Sequence, residues 1–393
     1  MKHYEPKEAS MRLFRLPLCL VLALSLILHV SFERQARAQA SFSGYTSGRS
    51  TFGERVLIGK RQARGLLRTF RPEAPATSTV RHPAILMIPG SGQTGPEYFI
   101  PKALANTDTD IEWFAPLAET LHASGAVTLQ LGKPGIDFQS DGKVPLYDPT
   151  VWKNLTWKDY LDHLSDAVTW LKGRPEVDSN RIYLLGHSEG TDAVAHWVEQ
   201  NPGQIAGLIL LGVNTDNIVA TYRWQLIDRE WDWFLGRDVD TNHDHQITSQ
   251  EIALWPDSFW YYQIPEASTL SRAEAIGKLE HWRLWSLAQI HEQPFFQGYS
   301  KDSGSLSKLL GFSGRIVALT GEWDVATPAT MALKLQAYCQ ALKRSNCEVE
   351  ILPTLGHAFS EPRAPRAHPL LDATFGLPSP QLLEKLTRLG GTL

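Results

Sequence analysis

The 393-residue sequence is poor in cysteine, with three in all. Cys19 falls inside an N-terminal apolar run, so only Cys339 and Cys347 remain beyond it. That leaves one candidate disulfide and no disulfide framework. Charge of either sign is also scarce. The net charge is −4 and there is no long basic run, which removes the electrostatic case for nucleic acid. The apolar run Leu16–Val30 is 15 residues, short of the roughly 20 that cross a bilayer as a helix. No repeat with a period of 20 to 50 residues is present. What is plentiful is apolar surface. The chain is 43% hydrophobic and 20% charged, enough to bury a large core.

The first 40 residues read as a cleaved signal peptide. Lys2, Lys7, Arg12 and Arg15 precede the apolar run, and Ala38 and Ala40 stand in an A-x-A arrangement before Ser41. Cleavage after Ala40 sends the protein to the periplasm or outside the cell, with no stable membrane span left. The alternative is an uncleaved N-terminal anchor. Outside the cytoplasm, Cys339 and Cys347 are either a disulfide or two buried thiols.

Beyond the leader, short apolar strands alternate with amphipathic helices. Residues 53–70 read as a β-hairpin. The segments 83–89, 126–131, 181–186, 205–212, 315–321 and 347–352 read as buried strands, apolar on both faces. Helices are predicted over 111–125, 157–172, 191–200, 328–343 and 380–389. This rhythm predicts an α/β fold, with a mostly parallel sheet covered by helices on both sides. Residues 213–305 break the rhythm. They hold seven of the 13 tryptophans and no strand of the sheet type. They read as a helical cap inserted into a core formed by 41–212 and 306–393. The cap tryptophans either line an apolar pocket or form the cap's own core.

Gly186-His187-Ser188-Glu189-Gly190 fits G-x-S-x-G between a strand and a helix. A turn that sharp forces the serine into a strained conformation and leaves no room for side chains two residues to either side. A serine hydroxyl needs a base, and the base needs an acid to orient it. His357 follows the last strand and Asp324 follows the strand before it, giving the chain order Ser, Asp, His. His368 is a rival base and Asp216 a rival acid, and Asp324 also suits a helix N-cap before Pro328. An oxyanion hole needs two N–H donors. Glu189 follows the nucleophile and supplies one. Ser91, in the Gly90-Ser91-Gly92-Gln93 loop, is the candidate for the other, unless that loop is only a strand-ending turn.

With these motifs in place, residues 53–212 and 314–393 resemble the α/β-hydrolase superfamily. The likeness is closest to bacterial esterases and to serine-aminopeptidase-like and dienelactone-hydrolase-like members. It implies a central sheet with a nucleophile elbow at Ser188 and no organic cofactor. Pro89 in IPGSGQTG stands where many members carry a histidine, which alters the loop but not its backbone donors. A serine nucleophile, not an aspartate, sets the chain apart from dehalogenases and epoxide hydrolases of the same superfamily.

One motif stands outside this scheme. DTNHDHQITSQE, residues 240–251, reads as an EF-hand-like calcium loop. Asp240, Asn242 and Asp244 take the first, third and fifth places. Gln246 offers its carbonyl, Thr248 a hydroxyl or bridged water, and Glu251 a bidentate carboxylate. His245 occupies the sixth place, where glycine is usual, so a left-handed backbone at some cost is predicted there. With no second loop of this kind in the sequence, the expected Ca2+ affinity is modest, about 10⁻⁵–10⁻³ M. The two histidines alone make a poor transition-metal site, and a solvated acidic loop is the plain alternative.

The residues therefore point to a serine hydrolase acting on a small-molecule ester through Ser188, Asp324 and His357, with a structural calcium in the cap. A peptidase or amidase acting on short peptides would use the same triad. A catalytically silent, calcium-dependent binding protein is the reading from another class.

Overall fold

The computed structural model describes residues 49–50, 53–59, 63–69, 80–102, 108–138, 147–255, 260, 263–264, 268–301, 303–361 and 376–393. The leader and His368 lie outside them. The main sheet has nine strands: β1 (Arg49–Ser50), β2 (Gly53–Ile58), β3 (Ala63–Arg68), β4 (His82–Ile88), β5 (Val127–Leu131), β6 (Val177–His187), β7 (Gly207–Leu211), β8 (Arg315–Gly321) and β9 (Cys347–Leu352). They lie in the order β1-β2-β3-β5-β4-β6-β7-β8-β9. The hairpin and its junction to β5 are antiparallel, and every pairing from β5 to β9 is parallel. This is the α/β-hydrolase architecture.

Strand β4 shows why both faces must be covered. Side chains alternate along a strand, so Ile85 and Met87 point to one face while Ala84, Leu86 and Ile88 point to the other, and all are buried. On the first face lie α1 (Phe114–Ala123) and the C-terminal α8 (Pro380–Gly390), which meet through Leu117, Leu121, Leu382 and Leu386. On the second lie α2 (Trp157–Lys172), α3 (Glu189–Gln200) and α7 (Ala329–Ala341). Helix α2 starts where the sequence predicts, because Thr156 and Asp159 form a capping box. Helix α1 starts later than predicted. Ile111 and Glu112 pair with Phe99 and Ile100 as a small antiparallel ribbon, and the helix begins at Phe114. Strand β6 starts earlier than predicted, at Val177, because the polar run Asp178–Arg181 hid its first half.

The cap is inserted between β7 and β8. It contains α4 (Ile218–Arg223), two successive π-helical segments (Trp224–Asp228 and Glu230–Val239), α5 (Arg272–Glu292) and α6 (Pro294–Tyr299). Its apolar residues Tyr222, Leu226, Trp231, Phe234 and Trp260 continue the core of the second sheet face. Trp231 and Trp260 are buried there, so these two serve as the cap's own core. Cys339 on α7 and Cys347 on β9 are joined as a disulfide, with Cα atoms 6.3 Å apart. Among the described residues no helix is long and apolar enough to cross a membrane.

Candidate active site

The turn from β6 into α3 carries Ser188 at φ 55°, ψ −123°, a left-handed backbone that a serine adopts only under constraint. The flanking glycines are needed for space. A Cβ on Gly186 would stand 2.4 Å from the Gly190 carbonyl oxygen, and one on Gly190 would stand 2.4 Å from that of Ile88. The elbow is pinned from below, since Ser188 N–H donates to Leu211 O at 3.0 Å. Glu189 opens α3, so its N–H has no partner within the helix and faces the end where negative charge is favoured.

Asp324 follows β8 and is fully buried, and His357 follows β9 and is nearly so. His357 Nδ1 lies 2.9 Å from both carboxylate oxygens of Asp324. The carboxylate also accepts the N–H groups of Ala326 and Thr327 and the Thr327 hydroxyl. Asp324 thus ties down its own loop and contacts the imidazole, while the N-cap place of the following helix falls to Pro328, with no side-chain bond. With the Nδ1 proton directed to Asp324, Nε2 is the basic nitrogen of His357. Asp216 is removed from this centre by an ion pair with Lys334 at 2.7 Å, part-exposed on the surface.

The loop carrying His357 is tied to the elbow through residues the motifs do not name. His187 Nε2–H donates to His357 O at 3.0 Å, and the two rings stand 4.8 Å apart. That fixes the tautomer of His187: Nδ1 is the acceptor, and the Tyr98 hydroxyl donates to it at 2.8 Å. Burial, then the positive charge available to His357, holds His187 well below the usual imidazole range, so it stays neutral. Burial likewise raises the Tyr98 phenol. Trp113 Nε1 donates to Ala358 O at 3.0 Å and adds a second tie to the same loop.

The Gly90–Gln93 loop runs against the elbow. A Cβ on Gly90 would lie 3.1 Å from Ser188 Cβ and 2.4 Å from the Tyr98 hydroxyl. The Tyr98 hydroxyl thus packs against Gly90, and Ser91 is the next residue along the loop. On the other side of the elbow Lys133 Nζ meets Glu189 Oε1 at 2.6 Å, both buried. Burial lowers Lys133, and Glu189 holds it back toward the charged form. Nothing in the five-residue motif signals this pair. Its only trace in the sequence is a lysine in a turn-rich stretch after an apolar strand.

The loop 240–251 turns as its sequence requires. His243 and His245 have φ of 58° and 63°, so His245 takes the left-handed place without glycine. Asp240 is fully buried and accepts the N–H groups of Asp244 and His245, at 3.2 and 2.9 Å. Asp244 accepts from Gln246 N–H at 2.8 Å. Glu251 bonds Thr248 through one oxygen and reaches back to Thr241 through the other. The donor set is oxygen from carboxylate, amide and hydroxyl, the chemistry a hard cation takes. Its members are engaged with each other and with backbone. Among the described residues no three His, Cys, Asp or Glu side chains gather as a metal-holding group. The loop also has a partner strand that the sequence reading missed. Gln246–Thr248 pairs antiparallel with Thr269–Ser271, placing Ile247 opposite Leu270. The partner repeats the same capping box, Ser271 with Glu274 after Thr248 with Glu251, without the acidic residues before it.

No protein-family model matches the chain, and no curated protein matches it. Solved structures do resemble it. Est1E from Butyrivibrio proteoclasticus with ferulic acid bound is 15% identical, over 84% of this chain and 96% of that one, at a TM-score of 0.43. A meta-cleavage product hydrolase from Pseudomonas fluorescens is 11% identical, over 87% and 97%, at 0.43. An esterase from Exiguobacterium antarcticum is 12% identical, over 78% and 93%, at 0.39. These likenesses are weak. The fold rests on the strand order above, and the chemistry rests on the side-chain geometry.

Proposed function

We propose that the chain is a serine hydrolase that cleaves carboxylic esters through an acyl-enzyme on Ser188. The observation that carries this is the 2.9 Å contact of His357 Nδ1 with Asp324, on a loop that His187 ties to the Ser188 elbow. In this reading His357 Nε2 takes the Ser188 proton as Oγ attacks the ester carbonyl. Asp324 stabilises the imidazolium that forms. The N–H groups of Glu189 and Ser91 hold the oxyanion. His357 then gives its proton to the leaving alkoxide. A water molecule, deprotonated by the same nitrogen, releases the acid and restores Ser188.

An amide substrate would use the same steps, and a peptidase in addition needs a carboxylate for the substrate amine. Glu230 in the cap is an acid that could take this part, but it accepts Trp260 Nε1–H at 2.9 Å, which favours the ester reading. Export to the periplasm or beyond is part of the proposal. The Cys339–Cys347 disulfide supports an oxidising compartment. So is a structural calcium held by Asp240, Asn242, Asp244, Gln246, Thr248 and Glu251. Its support is the oxygen-only donor set and the turn at His243 and His245. When bound, calcium would neutralise these acids and order the cap, and it has no part in the acyl transfer.

The deciding experiment is steady-state turnover of short p-nitrophenyl esters beside aminoacyl p-nitroanilides. Ester turnover that vanishes in Ser188→Ala is expected. Turnover of anilides alone would replace the ester reading with the peptidase one. Turnover of neither, with no labelling of Ser188 by an active-site reagent, would leave a binding protein.

A further inference from the structure

Arg229 is the one residue between the two π-helical segments of the cap, and it is buried, with 4% of its surface exposed. A buried guanidinium is costly unless its donors are met. Yet among the described residues Arg229 donates no hydrogen bond and joins no ion pair. Its nitrogens are also absent from the sealed, partnerless side-chain atoms. They therefore keep some contact with accessible space.

The position of that space follows from the neighbouring turn. Trp224 Nε1 and Gln225 Nε2 donate to Val325 O and Ala326 O, the two residues after Asp324, at 3.1 and 2.9 Å. Arg229 lies about one π-helical turn beyond them and shares their face toward the Asp324 loop. Arg283 on α5 is brought close by the Arg223–Glu280 ion pair at 2.9 Å, three residues earlier on the same helix. Arg283 is half-buried and likewise makes no hydrogen bond or ion pair among the described residues.

The negative groups facing the two arginines are Glu230 and Asp324. One oxygen of Glu230 is engaged by Trp260. Both oxygens of Asp324 are taken by His357, Thr327 and the amide of Ala326. Neither acid satisfies the arginine. Burial, and then Arg283, pull Arg229 down to about 10, against the opposing pull of Glu230 and Asp324, so it stays charged at neutral pH.

We propose that Arg229, with Arg283, forms an anion subsite in the cap, and that it receives a free carboxylate on the ester substrate. The substrate class is then a half-ester or an ester of a carboxylate-bearing acid or alcohol. This rests on the ester-hydrolase reading above. A carboxylate suits the planar fork of an arginine, and the low-dielectric setting strengthens the pair. The subsite has a different task from the oxyanion hole. It binds a charge present in the ground state, so it acts mainly on KM.

The test compares mono-p-nitrophenyl glutarate with its neutral counterpart, p-nitrophenyl pentanoate, at pH 7. The expected preference in kcat/KM for the anionic ester is roughly tenfold or more. In Arg229→Gln it is expected to fall to about one, chiefly through KM. Arg283→Gln should lower it in the same direction and serves if Arg229→Gln does not fold. Equal turnover of the two esters by the native protein, or equal losses on both in the variants, overturns the proposal. A second readout does not depend on catalysis. Glutarate is expected to raise the melting temperature of the native protein and not that of the variant. If no ester is cleaved but this difference holds, the subsite stands and the ester reading fails. If esters are cleaved without preference and glutarate does nothing, the subsite fails alone.

Discussion

Ser188 and Asp324 show how much a single residue must carry. The positive φ at Ser188 costs conformational energy, and the structure holds it by packing the Gly186 and Gly190 backbones where no Cβ fits. That strain was legible, because the two glycines and the strand-helix context announce it. Asp324 was legible in position but not in manner. Its two oxygens take three donors from its own loop and share the fourth from His357. Asp324→Asn should keep the two backbone bonds of the loop through its carbonyl oxygen while turning an N–H toward His357 and the Thr327 hydroxyl. The imidazole is then held in the wrong tautomer. Ester turnover is expected to fall by about 10⁴ in kcat with little change in melting temperature. A loss under tenfold would mean that another acid orients His357. Tyr98 and His187 were not legible at all. One lies 89 positions from the other, and their bond exists only because the loop after β4 folds over the elbow. Nothing local in either sequence stretch reports it.

The elements matter most where the cap meets the core. Asp192 on α3 is buried beneath the cap. It takes the hydroxyls of Tyr299 on α6 and of Ser305, and the Asn214 amide at 2.8 Å. Burial raises its carboxyl to about 7, although the three hydrogen bonds pull the other way. The folded protein therefore holds a proton that the unfolded chain, with an ordinary aspartate, releases near pH 4. Stability from this group is present at low pH and is lost as pH rises from about 4 to about 7, by an amount on the order of a few kcal/mol. Urea unfolding at pH 5 and pH 8 should show a smaller difference for Asp192→Asn than for the native protein. Identical differences would clear Asp192 of this role. Calcium acts at the same scale. If loop 240–251 holds it, saturating calcium should raise the melting temperature by a few degrees, and chelator or Asp240→Ala should remove the rise. No rise in the native protein would end the calcium proposal. The loop's own pattern was clear from its spacing. Its pairing with Thr269–Ser271 was not, because the partner carries a capping box without the regularly spaced acids that mark loop 240–251.

Across the whole molecule, the chemistry gathers at one edge. Ser188, Asp324, His357 and the Gly90 loop all follow the C-terminal ends of parallel strands β6, β8, β9 and β4, which run from the middle of the sheet to its last strand. That is where such sheets present their binding crevice. The alternation of apolar strands and amphipathic helices fixed this much in advance, since a strand buried on both faces has few other places to be. The cap was legible only as an interruption. Its tryptophans said that something was buried, and not that Arg229 would be buried with them. One measurement bears most directly on the central claim. A fluorophosphonate probe, followed by peptide mass analysis, should place one adduct on Ser188 in the native protein and none in Ser188→Ala. An unlabelled native protein, or an adduct that survives the substitution, would contradict it.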